Sequence, residues 1–78
     1  MKEVKVKLST VCSDESKSKT TEVSLNLVTG VVRTEKVEGD VVSQEVEYKG
    51  SKYPVKEESG ELKVSTDDLH DIIWLVNS

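Results

Sequence analysis

The spacing of apolar residues changes once along this chain, and that change limits what it can fold into. Between Val4 and Val64 apolar side chains recur at alternate positions in short runs; from Leu69 onward they recur at steps of three and four. The first spacing buries one face of a strand, the second one stripe of a helix. The predicted fold class is α+β: a mainly antiparallel β-sheet of about five or six short, hairpin-connected strands, with one C-terminal α-helix packed on it. A chain of 78 residues has room for a single core, so residues 1–78 are read as one small domain.

Val4, Val6 and Leu8 alternate with Glu3, Lys5, Lys7 and Ser9, which predicts a first strand ending near Val11. Residues 13–20 carry no apolar side chain and predict a polar loop. Val23, Leu25 and Leu27 resume the alternation up to a turn at Thr29-Gly30. The expected register sets Leu27 against Val32 and Leu25 against Thr34, leaving Val28 and Val31 on the opposite face. A second turn is expected at Val37-Glu38-Gly39-Asp40.

Val42, Val46 and Tyr48 share one face, and Lys49-Gly50-Ser51-Lys52 reads as a four-residue loop into Tyr53-Pro54-Val55. Tyr48 is then expected opposite Tyr53, Val46 opposite Val55 and Glu45 opposite Lys56. Pro54 has no N–H to give, so it is predicted to lack a ladder partner at or near an edge. After a turn over residues 58–61, Leu62 and Val64 begin a short last strand. Ser65-Thr66-Asp67-Asp68 has capping-box spacing, and Leu69, Ile72, Ile73 and Val76 follow the i, i+3, i+4, i+7 stripe of a helix. Ile72 to Val76 is also rich in strand formers, but the capping signals favour the helix.

Charge narrows the partners. The chain has net charge −4, with seven basic and five acidic residues up to Lys36, and four and ten from Val37 onward. Phosphate binding needs dense cationic charge, so nucleic acid is not the expected ligand. A basic partner, or head-to-tail contact with a second copy, suits the asymmetry. The only cysteine, Cys12, has no disulfide partner in the chain, and the N-terminus alternates charge with valine where a secretory signal would be apolar. No apolar run approaches the ~20 residues of a membrane span. The expectation is a cytoplasmic protein without membrane contact.

Motifs for catalysis, cofactors or metals are scarce. The glycines at 30, 39, 50 and 60 are isolated turn residues and form no phosphate loop. His70, beside Asp67, Asp71 and Trp74, reads as a surface histidine, and Cys12 as a small core or rim residue. Turn and cap chemistry accounts for the acid pairs Asp14-Glu15, Glu57-Glu58 and Asp67-Asp68. No enzyme and no cofactor is expected. More apolar surface is present than one core needs: Trp74 and Leu75 flank the helical stripe, and Val28, Val31, Tyr48 and Tyr53 complete a candidate interface. The leading expectation is a non-enzymatic protein-protein interaction module, a homo-oligomer or a small accessory subunit. An acidic inhibitor that mimics nucleic acid and blocks a basic partner is one alternative; a small-ligand or sugar binder using Tyr48, Tyr53 and Trp74 is another.

Overall fold

The computed structural model describes residues 2–35 and 37–78. They form strands β1 (Glu3–Cys12), β2 (Lys19–Asn26), β3 (Val31–Arg33), β4 (Val41–Tyr48), β5 (Ser51–Glu58) and β6 (Glu61–Val64), followed by helix α1 (Thr66–Asn77). The α+β composition dominated by antiparallel sheet agrees with the alternation, and the strands close into a barrel in the order β1-β2-β3-β6-β5-β4. Two three-stranded meanders, β1 to β3 and β4 to β6, are joined edge to edge by antiparallel pairing of β1 with β4 and of β3 with β6. Closure removes most of the free edge that an open sheet would expose. It also means that β3 and β4 do not form the hairpin that the sequence suggested: β4 lies on the far side of β1.

Inward positions build the core. Leu8, Val46 and Tyr53 lie opposite one another across three neighbouring strands, as do Val4, Leu25, Val32 and Leu62 across four. Val6, Leu8, Leu25, Val32 and Val46 are buried, and α1 adds Leu69 and Ile72. The helix leaves β6 at the end of the barrel that holds the β2–β3 and β4–β5 turns, and it closes that end. The opposite end carries the polar stretch after β1: Asp14 caps a single 3-10 turn at Glu15–Lys17, while Lys19 and Thr20 already pair with Thr10 and Ser9 as part of β2. Two hydrogen bonds from Ser16 hold the Asp14 carboxyl below the usual carboxylate range.

Both central hairpins differ from the sequence expectation by a slide of two residues. In the first, Leu25 lies opposite Val32 and Ser24 opposite Arg33. Asn26 sets this register: its side-chain oxygen accepts from the N–H groups of Val28 and Thr29, and its carbonyl accepts from Gly30 N–H. In the second, the loop is the two residues Lys49-Gly50, so Tyr48 lies opposite Ser51, Val46 opposite Tyr53 and Glu45 opposite Pro54. Lys49 and Gly50 have φ of +49° and +84°, the pair of left-handed residues that matches the twist of a two-residue hairpin. Pro54 pairs only with β4. Pairing of β5 with β6 begins at Val55 and Val64, so the missing N–H points past the end of β6. Val42 is 67% exposed because it is the extra residue of a bulge: Val11 lies opposite Ser43 and Cys12 opposite Val41, which leaves Val42 without a partner and breaks the expected alternation.

Gly30 fastens the β2–β3 turn to the helical end. Its φ is +79°, its carbonyl accepts from Val64 N–H at 3.1 Å, and a Cβ there would stand 3.3 Å from the Val64 oxygen and 3.5 Å from Leu69 Cδ2. Gly30→Ala is expected to cost about 1–2 kcal/mol in urea denaturation. Gly50→Ala, with similar φ but open space around it, should cost less. Equal losses would mean that the close approach to Val64 and Leu69 contributes nothing.

Candidate interaction surface

Helix α1 is fixed at both ends. Ser65 Oγ accepts from Asp68 N–H at 3.1 Å, and Asp67 and Asp68 place negative charge on the first turn. At the last turn Lys49 Nζ donates to the Leu75 carbonyl at 3.0 Å and Asn77 Nδ2 to the Ile73 carbonyl at 3.1 Å. Lys49 thus supplies a cation where the helix carbonyls end, and the left-handed turn of the β4–β5 hairpin puts it there. Its ammonium also lies 5.6 Å from the centroid of the Tyr48 ring.

The buried stripe is Leu69 and Ile72, with Ile73, Leu75 and Val76 packed partly against the core. Asp67, His70, Asp71 and Trp74 are exposed on the other side, and Trp74 is 67% exposed. The indole therefore lies outside the core and beyond its rim. Of the proposed interface residues, Tyr48 and Leu75 are linked through Lys49, which lies over the Tyr48 ring and donates to the Leu75 carbonyl, while Trp74 stands on the exposed side of the same last turns of α1. Val28, 70% exposed, and the half-buried Val31 belong to the β2–β3 hairpin, which meets the helix at Leu69, in its first half. Tyr53 lies in the core, not on the surface. Its ring is buried opposite Val46, and its hydroxyl donates to an Asp71 carboxylate oxygen. The parity of β5 forces this, since Tyr53 and Val55 face the same way. The Asp71 bond comes first, and burial second, in pushing the Tyr53 phenol above its ordinary pKa. Sequence reasoning missed Lys49 and Asp71; a lysine before the turn glycine was the one signal for the former.

Residues weighed for chemistry occupy structural places. Cys12 is buried beneath the 3-10 turn, its N–H donating to Ser18 Oγ at 2.9 Å and its Sγ lying 3.6 Å from the Lys17 carbonyl. Thr10 is buried at the open end and accepts from Gln44 Nε2 at 3.1 Å, so each satisfies the other. Among the described residues no three His, Cys, Asp or Glu side chains are placed to hold a metal ion. Five depressions among them have linings that leave out Tyr48, Tyr53 and Trp74. No helix among them is long and apolar enough to cross a membrane.

On the outer wall, Glu22, Lys7, Glu47 and Lys52 stand directly opposite one another across β2, β1, β4 and β5. Charge alternates along this row, and the acids of the C-terminal half are divided among the segment before β4 (Glu38, Asp40), this wall, the β5–β6 tip and the first half of α1. No known protein family, curated protein or solved structure gives a significant match to the chain.

Proposed function

We propose that the protein is a non-enzymatic binding module that docks on another protein through the end of α1, with Trp74 as the anchor, either as a homo-oligomer or as a small accessory subunit. The observation that carries this reading is the exposure of Trp74 on a helix whose two ends are pinned to the barrel. Trp74 is the chain's only tryptophan, and a large amphipathic side chain held on a rigid element loses little entropy when a partner covers it. Leu75 and Tyr48 extend the apolar contact, while Asp67, His70 and Asp71 make its border polar. An acidic inhibitor has less support, because lysines interrupt the carboxylates of the barrel wall; a sugar site built on aromatics would need them to share a concavity.

Sedimentation across a concentration range tests the homo-oligomer. Trp74→Ala should weaken association by about tenfold or more while leaving the circular dichroism unchanged. A wild type that stays monomeric at high concentration rules out the homo-oligomer and leaves the accessory subunit, for which Trp74→Ala should abolish capture of a partner. Unfolding of Trp74→Ala would defeat both forms, since it would make the indole a core residue.

A further inference from the structure

The geometry points to a second binding site, independent of α1: the open edge of β2 at Thr20 and Glu22 takes up an extended acidic segment of another protein as an added strand. β1 pairs with β2 from Lys19 to Asn26, but β3 pairs with it only at Ser24 and Leu25 and ends at Arg33. Among the described residues, 19–23 therefore have one strand neighbour, not two. Antiparallel ladders point successive residues to opposite sides. Working outward from the two-residue Lys49-Gly50 turn through the β4, β1 and β2 registers, Lys19, Thr21 and Val23 bond to β1, whereas Thr20 and Glu22 aim N–H and C=O at the open side. The same alternation accounts for the Leu27 N–H reaching back to the Lys2 carbonyl and the Gly30 N–H reaching the Asn26 carbonyl. Among the described residues no backbone group bonds to this edge of Thr20 or Glu22.

A hollow of about 440 Å³ runs beside that edge. β2 forms its near wall, and Thr34, Glu35 and Val37 of the β3–β4 connection line its far side. An added strand needs about 4.8 Å of lateral spacing and roughly 17 Å of length to run beside residues 19–23. Paired N–H and C=O groups at strand spacing recognise a polypeptide backbone, which small ligands do not reproduce. Charge selects its side chains. Lys5, Lys19 and Arg33 line the hollow against Glu22 and Glu35, a basic margin on a protein of net charge −4. Lys19 is on the inward row of β2, opposite Thr10, so an inward-facing carboxylate of the incoming strand meets its ammonium. A second copy of this edge carries the same basic margin and is the poorer occupant.

The test uses a blocked peptide of alternating glutamate and threonine, with its lysine-threonine counterpart as control. The acidic peptide should slow hydrogen exchange of the Thr20 and Glu22 amides by about tenfold or more and lose affinity with added salt. Thr20→Pro removes one outward N–H and no β1 bond, so it should keep the wild-type circular dichroism and bind about tenfold more weakly. Should Thr20→Pro fail to fold, Lys19→Glu serves instead, lowering affinity for the acidic peptide and raising it for the basic one. Trp74→Ala should bind the peptide like wild type, which separates this site from the α1 surface. Absence of protection at Thr20 and Glu22, equal binding of both peptides, or protection already present in a self-associated wild type would overturn the assignment.

Discussion

Replacing Ile72 by alanine is expected to unfold a large part of the population under conditions where the wild type is folded. Ile72 is 0% exposed and, with Leu69, is carried into the barrel end by the helix that closes it. Truncation removes three carbons and leaves a cavity among Leu69 and the barrel side chains that a short, doubly pinned helix is poorly able to fill by moving. Such changes cost about 2–5 kcal/mol. A chain of this length is stable by roughly 4–12 kcal/mol, so the loss is a large share of the total. Thermal and urea denaturation would measure it. Ile73→Ala, at a half-buried position one step round the helix, should cost on the order of 1–2 kcal/mol; the reverse ranking would mean that the buried stripe is centred on Ile73.

Tyr53→Phe should destabilise the protein by about 0.5–1.5 kcal/mol, because the bond ties α1 to β5 but its Asp71 acceptor is exposed and water screens it. The same bond makes stability depend on alkaline pH. The neutral phenol donates to Asp71, whereas the phenolate would face a carboxylate, so the folded-state pKa is raised above the ordinary 10.0. This contribution is fully present below pH 10, where the phenol is neutral in both states, and is lost as pH rises through the folded-state value. Tyrosinate absorbance should therefore contain a late-ionising component that Tyr53→Phe removes. A titration unchanged by Tyr53→Phe would show that the Asp71 bond is not made in solution.

Strands and helix were legible because alternation and stripe are properties of neighbouring residues. Register was not, for a physical reason: sliding a strand by two residues leaves every side chain on the same face, so Val46 meets Tyr53 or Val55 with equal burial, and turn chemistry must decide. Lys49-Gly50 does not resemble the familiar Asn-Gly turn, and Asn26 acts from outside the turn at Thr29-Gly30 that the glycine advertised. Barrel closure was hidden for another reason. Whether β1 pairs with β4, or β3 with β6, depends on contacts between residues 29 to 40 positions apart, which no local pattern encodes. The candidate surface was partly legible. The helical spacing already separated Trp74 from the stripe's centre, but Tyr53 was assigned to the surface for its aromatic character although its alternation with Val55 placed it inside.

Joining the meanders through the first and fourth strands, and the third and sixth, also sets a kinetic order. Each meander can form from nearby residues, yet neither can bury its inner face until the other arrives, and the loop-closure entropy of both seams falls due together. The half made first during synthesis must wait, with Val6, Leu8 and Leu25 uncovered and the outer edges of β1 and β3 unpaired, until β4 to β6 and the helix follow. During that interval the chain is most open to pairing with the wrong neighbour. The charged outer faces of β1 and β2, with Lys5, Lys7 and Glu22 in their middles, then protect a nascent half-barrel from sticking to its copies.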